Sequence, residues 1–196
     1  MAAREQLLTA GLAEFDRLGI DGATVAAIRD RAGVSNGSFF HLFKTKHELA
    51  GALFLDVLQR YHAAVLVGLE GSASAAEGIA DLIRAHLDWV VLQRIEARYL
   101  FEISRGEWSR EVREAQGRLN TRLGERLDAW RAPLLTSGAL MPMPANLFMS
   151  QMIGPAQILC RGWLSGRDAG DPRDHTEVLI ACAVRALVTG NADRAE

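Results

Sequence analysis

The chain has 196 residues, of which 49% are hydrophobic and 23% charged, and its formal net charge is −2 at pH 7. These values are typical of a globular protein and exclude a polybasic coat that would hold nucleic acid through bulk charge. No apolar stretch reaches the ~18 residues of a membrane span, and the first residues lack the apolar segment of a secretory signal. We therefore expect a cytoplasmic protein without membrane contact.

The start of the chain predicts helices, because its apolar residues recur every three or four positions. A first helix carries one apolar stripe, and Gly19 stands where a glycine commonly ends a helix. Thr24 is suited to cap a second helix, which runs from Val25 to Ala32. The stripe of the first helix consists of Leu8, Leu12, Phe15 and Leu18.

A short turn that contains Gly33 leads to a third helix, which Ser35 caps and which runs to about Leu42. Thr45 and Glu48 have the spacing of a capping box, which predicts the start of a long fourth helix. Two helices joined by a turn of three or four residues follow the helix-turn-helix plan. The second helix of such a pair enters the major groove of DNA.

The rest of the chain predicts five further helices after a candidate linker at residues 70–74. Residues 132–144 hold three of the five prolines and are expected to form a loop. The predicted fold class is therefore all-α, with a three-helix helix-turn-helix domain, a C-terminal helical bundle and about nine helices in total. The five later helical patterns cover residues 74–93, 96–104, 108–130, 145–164 and 172–189.

Residues 33–49, GVSNGSFFHLFKTKHEL, combine small polar residues, aromatic residues and the only two lysines of the chain. Small side chains on the first turn of a recognition helix let its backbone approach base edges, and Asn pairs with adenine. Helix N-termini also attract phosphate, which adds positive potential to a region whose formal charges cancel. The residues predicted to bind DNA are Thr24, Ser35, Asn36, Gly37, Ser38, Phe39, Phe40, His41, Lys44, Thr45 and Lys46.

Within this set each residue type has an expected role. Asn36, Ser38 and His41 are predicted to read bases, whereas Thr24, Thr45 and Lys46 are predicted to hold phosphates. Phe39 and Phe43, four residues apart, are also expected to pin the short third helix to the core, since seven residues do not stay helical alone.

Residues 4–50 resemble the DNA-binding domain of TetR-family transcriptional regulators, with the run AGVSNGSFFHLFKTKHEL at residues 32–49 in register with the family pattern. Phe40 replaces the usual Tyr and Leu42 the usual His or Tyr, so one hydroxyl expected to bond a phosphate is absent. The resemblance implies a homodimeric repressor that binds a palindromic operator and releases it when a small molecule enters its C-terminal domain. It also implies a DNA-binding domain at residues 1–48 and an effector-binding and dimerisation domain at 49–196, with the fourth helix as connector.

The C-terminal part contains many large apolar residues, which in this family line an effector pocket, and its last two helices correspond to the dimer bundle of the family. No clustered charge accompanies these residues, which favours a neutral or hydrophobic effector. The predicted ligand contacts are Trp89, Tyr99, Trp108, Trp130 and Met152. The predicted dimer contacts are Met149, Ile153, Cys160, Val178, Leu179, Cys182 and Leu187.

Other patterns leave alternatives open. Residues 33–37 match the G-x-S-x-G of a hydrolase, but the helical segment before them is not the strand that this motif requires. The histidines at 41, 47 and 62 lack partners at metal-ligand spacing, so no metal site is predicted. No cofactor and no catalytic residue are predicted either. The arginines at 118, 122 and 126 alternate with glutamates, as on a solvated helix face. The rival function classes are a helical enzyme or ligand carrier that retains the motif, and an architectural DNA binder without an effector.

Overall fold

A computed structural model of the protein describes residues 2–69, 71–104 and 108–189. Over these ranges it contains nine α-helices and no strand, which confirms the predicted fold class. None of the helices in these ranges is long and apolar enough to cross a bilayer. The helices are α1 (Ala3–Gly22), α2 (Val25–Ala32), α3 (Asn36–Leu42), α4 (Lys46–Val67), α5 (Ala75–Leu92), α6 (Arg94–Arg98), α7 (Arg110–Thr136), α8 (Ala145–Leu164) and α9 (Thr176–Leu187).

The chain folds as two compact units, each built from two stretches of sequence. The first unit comprises residues 1–60 and 93–118, and the second comprises residues 61–92 and 119–196. The helix-turn-helix therefore belongs to a unit that also holds the start of α4 and all of α6. The functional division at residue 48 stays a prediction.

Local capping bonds begin the helices of the first unit where the sequence predicts them. The Thr24 hydroxyl accepts a hydrogen bond from the Ala27 amide at 3.1 Å, and the Ser35 hydroxyl accepts one from the Ser38 amide at 3.1 Å. Gly33 ends α2 in the left-handed region, with φ 63°, which a glycine adopts without strain. The predicted bounds of α2 and α3 and the predicted start of α4 are confirmed.

The regular helical path of α1 ends at Gly19, as predicted, and a further helical turn follows. Gly19 has φ 72° and ψ 170°, which breaks the helical path, but helical structure resumes and runs to Gly22. Leu18, a residue of the predicted stripe, is 43% exposed. The buried face of α1 instead comprises Leu7, Leu8, Ala10, Gly11, Glu14 and Phe15.

Aromatic residues join helices in the core of the first unit. The rings of Phe39 and Phe43 lie 6.2 Å apart and anchor α3, as predicted. The rings of Phe15 and Tyr99 are stacked at 5.9 Å and join α1 to the segment after α6. This segment, Tyr99–Ile103, is a π-helix, where the sequence predicts a continuous α-helix over residues 96–104.

Helix α5 lies at the centre of the second unit and packs against α8 and α9. Its Gly78 faces Trp130 of α7 so closely that a Cβ atom at position 78 would lie 2.4 Å from the indole ring. An isolated antiparallel bridge joins Leu140 to Val188 and holds the loop after α7 against the end of α9.

Two predicted bounds in the second unit are wrong. Helix α7 extends through Pro133 to Thr136, so the predicted loop begins later; a proline in a last turn removes only one backbone bond. The last helical pattern is a 3₁₀ turn (Pro172–His175) followed by α9, with Asp171 capping the turn as predicted. Of the predicted linker, Glu70 lies outside the described residues, and α5 begins at Ala75.

Candidate functional site

Helix α3 presents small and polar side chains to solvent. Asn36, Gly37, Ser38 and His41 are exposed, and Phe40 is 48% exposed. No heavy atom lies within 4 Å of the position that a Cβ atom of Gly37 would occupy, so the backbone here is open to close approach. The first turn of α3 therefore has the accessible, uncrowded surface that a groove-binding helix needs.

Phe39 is a correction to the predicted DNA contacts. Its side chain has no exposed surface and packs between Phe43 and Phe40, whose ring it meets edge-on at 5.3 Å. A fully buried ring cannot touch DNA, so Phe39 contributes by fixing α3 to the core. Its neighbour Phe40 carries the exposed aromatic surface.

The hydroxyl groups of α3 are engaged within the helix. Ser35 donates a hydrogen bond to the Ser38 hydroxyl at 2.9 Å while its own oxygen caps the Ser38 amide. Both serines are exposed, and the two hydroxyl groups are held together at the start of α3.

Thr24, Lys44 and Thr45 lie exposed at the N-termini of α2 and α4, where the sequence predicts phosphate contacts. Thr45 caps α4 by accepting a hydrogen bond from the Glu48 amide at 3.1 Å. The Glu48 carboxylate in turn accepts a hydrogen bond from the Lys44 amide at 2.7 Å. Thr45 therefore caps α4 as predicted, but the Glu48 side chain bonds the residue before the cap, so only one of the two capping-box bonds is formed.

Lys46 has a structural role that the sequence does not reveal. Its Nζ donates hydrogen bonds to the carbonyl oxygens of Asp21 at 2.6 Å and Ala23 at 3.0 Å. These bonds tie the start of α4 to the turn between α1 and α2. An ammonium group has three donors, so one remains for a phosphate.

A buried carboxylate fixes α2 against α1. Glu14 is 3% exposed and accepts hydrogen bonds from Arg17 at 2.8 Å and Arg31 at 2.7 Å. The hydrogen bond from Arg17, which has the larger effect, and the hydrogen bond from Arg31 hold the pKa of the Glu14 carboxyl below its ordinary value. The sequence signal for this site is an acidic residue on the buried face of α1.

Two of the predicted ligand contacts belong to the first unit. Tyr99 is fully buried and donates a hydrogen bond to the Ala50 carbonyl oxygen at 2.8 Å. Trp108 packs on Phe54 with ring centroids 5.1 Å apart and lines a cavity of about 550 Å³ together with Leu18 and His47. Neither residue belongs to the unit that contains the other three.

The other three predicted ligand contacts are packed in the second unit. Trp89 lies 4.9 Å from the Tyr61 ring, and Met152 is 1% exposed. Trp130 packs against Phe148 at 6.2 Å as well as against α5. The Tyr61 hydroxyl and His86 Nδ1, neither of them on a predicted contact residue, share a hydrogen bond at 2.9 Å. Burial lowers the pKa of His86 to about 4, so its imidazole is neutral at pH 7.

The predicted dimer contacts divide into buried and accessible residues. Cys160 and Leu187 have no exposed surface and Ile153 is 8% exposed, so these three pack inside the protomer and are corrections to the predicted interface. Val178 is 65% exposed and Cys182 is also exposed, whereas Met149 and Leu179 are partly buried. Ile158 of α8, which is not among the predicted contacts, is 73% exposed.

The sequence is similar to those of known bacterial regulatory proteins. The family model "Bacterial regulatory proteins, tetR family" matches residues 7–53. The HTH-type transcriptional regulator BetI of Cronobacter sakazakii is 33% identical over 142 residues, covering 59% of this chain and 70% of the relative.

Solved structures share the fold over nearly the whole chain. A TetR-family regulator from Shewanella has a TM-score of 0.76 at 21% identity, covering 96% of this chain and 100% of that chain. FadR of Bacillus subtilis in complex with stearoyl-CoA has a TM-score of 0.78 at 18% identity, covering 92% of this chain and 97% of that chain.

Proposed function

The chain belongs to the TetR family of bacterial regulatory proteins, and on that premise we propose that this transcriptional regulator is a ligand-responsive repressor. It binds a palindromic operator as a homodimer and is released by a small-molecule effector. The observation that carries the proposal is the exposed polar surface of α3, held on the core by the buried Phe39.

The proposed DNA interface combines base readers on α3 with phosphate contacts at two helix N-termini. Asn36 and His41 reach base edges in the major groove, and Phe40 contacts a sugar or a thymine methyl group. The residues proposed to position the backbone of the DNA are Thr24, Ser35, Lys44, Thr45 and Lys46, while Gly37 and Ser38 allow close approach.

The proposed dimer pairs α8 and α9 of one protomer with the same helices of its partner around a twofold axis. The exposed apolar surface of Ile158, Val178 and Cys182 supports this pairing, because such side chains gain most from burial against a second copy. Two recognition helices then read half-sites about one DNA turn apart, ~34 Å, as a palindromic operator requires.

The proposed effector is small and predominantly apolar and binds in the second unit, where Trp89, Trp130 and Met152 lie. FadR of Bacillus subtilis, which shares the fold, was solved with stearoyl-CoA, a molecule with a long apolar chain. Helix α4 begins beside the recognition helix and ends in the second unit. Effector binding displaces α4, changes the spacing of the two recognition helices and weakens DNA binding.

A gel-shift titration on DNA from upstream of the protein's own gene tests the regulatory proposal. Asn36→Ala and His41→Ala are expected to weaken specific binding by about 1–3 kcal/mol each, and unrelated DNA is expected to bind equally weakly to wild type and variants. The control is His175→Ala, an exposed residue of the second unit outside α8 and α9. Equal loss in the control, or equal affinity for unrelated DNA, contradicts the proposal.

A further inference from the structure

Asn36 is followed directly by Gly37 on the first turn of α3, and both residues are exposed. The side-chain amide of Asn36 has no hydrogen-bond partner among the residues that the structure describes. No heavy atom lies within 4 Å of the position that a Cβ atom of Gly37 would occupy. An accessible side-chain amide therefore stands next to an uncrowded backbone nitrogen.

The backbone N–H of Gly37 is not engaged in the helix. The first hydrogen bonds of α3 run from the Ser38 amide to the Ser35 hydroxyl at 3.1 Å and from the Phe39 amide to the Ser35 carbonyl oxygen at 3.0 Å. The Gly37 amide precedes both donors and has no acceptor within the described ranges, as is usual for the first amides of a helix. Its nitrogen can therefore react without the loss of a hydrogen bond of its own.

These two groups are the reactants of asparagine deamidation. The Gly37 nitrogen attacks Cγ of Asn36, so that a new N–Cγ bond closes a succinimide ring while the Cγ–Nδ2 bond breaks. The Nδ2 amino group takes up the proton of the Gly37 amide and leaves as ammonia. Water then adds to one of the two imide carbonyl groups and opens the ring, which yields aspartate or isoaspartate at position 36. Glycine hinders ring closure least, because it has no Cβ atom.

Ring closure requires the backbone of Asn36 to leave its helical conformation. This motion breaks the bonds that join Ser35 to the amides of residues 38 and 39 and opens only the start of α3. Phe39, which has no exposed surface, keeps the rest of the helix on the core. Helix ends open at a much lower free-energy cost than the whole domain does. Asn36 therefore reaches the reactive conformation in the folded protein.

We propose that Asn36 is a site of spontaneous deamidation, and that its conversion to a carboxylate releases the protein from DNA. The reaction depends on Asn36 and Gly37 alone, whereas its effect on DNA rests on the proposed function. A carboxylate donates no hydrogen bond, so it cannot form the pair of bonds that asparagine makes with adenine. Its negative charge is also repelled by the phosphates of the DNA.

Asn146 is an internal control for the reaction. It is exposed on the first turn of α8, and the next amide, that of Leu147, has no acceptor in the part of the chain that the structure describes. Full-length protein is incubated at mildly alkaline pH, and its tryptic peptides are followed by mass spectrometry. Asn36 is expected to deamidate at least about tenfold faster than Asn146, because only Asn36 precedes a glycine. Equal rates, or no reaction at Asn36 while urea-unfolded protein reacts, overturn the proposal.

Three substitutions test the mechanism. Gly37→Ala is expected to slow the reaction at Asn36 at least about tenfold and to keep the melting temperature, because the added Cβ atom meets no neighbour and alanine favours helix. Ser35→Ala removes the cap of α3 and is expected to speed the reaction about fivefold. Leu147→Gly is expected to raise the rate at Asn146 at least about tenfold. An unchanged rate in any of the three variants overturns the mechanism.

Asn36→Asp tests the consequence for DNA binding. In gel shifts its affinity for operator DNA is expected to be at least about tenfold below that of wild type, because a donor is lost and a repelled charge is added. Bound operator is also expected to slow the reaction at Asn36 and to leave the rate at Asn146 unchanged. Affinity of Asn36→Asp equal to that of wild type overturns the release from DNA. If wild type binds no DNA, the proposed function fails, and the reaction rates decide the modification site by themselves.

Discussion

Lys46→Ala distinguishes a lysine that only contacts DNA from one that also holds the helix-turn-helix together. The substitution removes two hydrogen bonds from Nζ, to the carbonyl oxygens of Asp21 and Ala23. Each bond to a charged donor contributes about 0.5–1 kcal/mol at a half-buried site, so the free energy of unfolding is expected to fall by about 1–2 kcal/mol. For a chain of this length the melting temperature is expected to drop by about 2–8 °C.

Lys44→Ala is the matched control, because the Lys44 side chain is exposed and lies two residues away. We expect this variant to unfold within about 0.5 kcal/mol of wild type. In DNA binding it is expected to lower the slope of log affinity against log salt by about one, as loss of one phosphate contact does.

The assay is urea unfolding followed by circular dichroism without DNA, combined with operator binding at several salt concentrations. Equal unfolding midpoints of Lys46→Ala and Lys44→Ala would refute the structural role of Lys46, since the bonds to the α1–α2 turn would then contribute nothing. A loss of DNA affinity alone would leave Lys46 as a phosphate contact only.

Further predictions concern the core, a close contact and pH. Phe39→Ala is expected to destabilise the first unit by about 3–5 kcal/mol, because its ring is fully buried. Phe40→Ala is expected to change stability by under about 1 kcal/mol and to weaken DNA binding. Equal unfolding midpoints of the two variants would contradict this. Gly78→Ala is expected to destabilise the second unit by about 1–3 kcal/mol, because the added Cβ atom would overlap Trp130. Thermal unfolding measures this, with Gly154→Ala as the control, since a Cβ atom at position 154 would meet no neighbour. Burial lowers the pKa of His86 to about 4, so the folded state binds fewer protons than the unfolded state between about pH 6.5 and 4. Stability is therefore expected to fall as pH falls through this window, by about 2 kcal/mol at pH 5, and a His86→Gln variant whose pH profile is no flatter would refute the assignment.

The starts of three helices in the first unit could be predicted from the sequence because local hydrogen bonds determine them. Thr24, Ser35 and Thr45 each cap a helix by accepting a bond from an amide three residues later, so the signal lies within four residues of sequence. The exposure of Asn36 and His41 on α3 also followed from local sequence, while their contact with DNA stays a prediction. Only the tertiary structure separated Phe39 from its neighbour, because adjacent residues of a helix point in different directions and only the position of the core decides which is buried.

In the second unit the sequence determined that α8 and α9 are apolar, but it could not determine which apolar residues the protomer itself uses. Cys160 and Leu187 are buried against their own chain, whereas Ile158 and Val178 are not. Exposed and buried apolar residues alternate along both helices, so the sequence pattern does not distinguish the side that packs in the chain's own core from the side that faces outwards. Tertiary packing decides which side of each helix is buried. The bond from Lys46 to a carbonyl oxygen 25 residues away was likewise visible only in the structure, because pairs so distant in sequence leave no periodic signal.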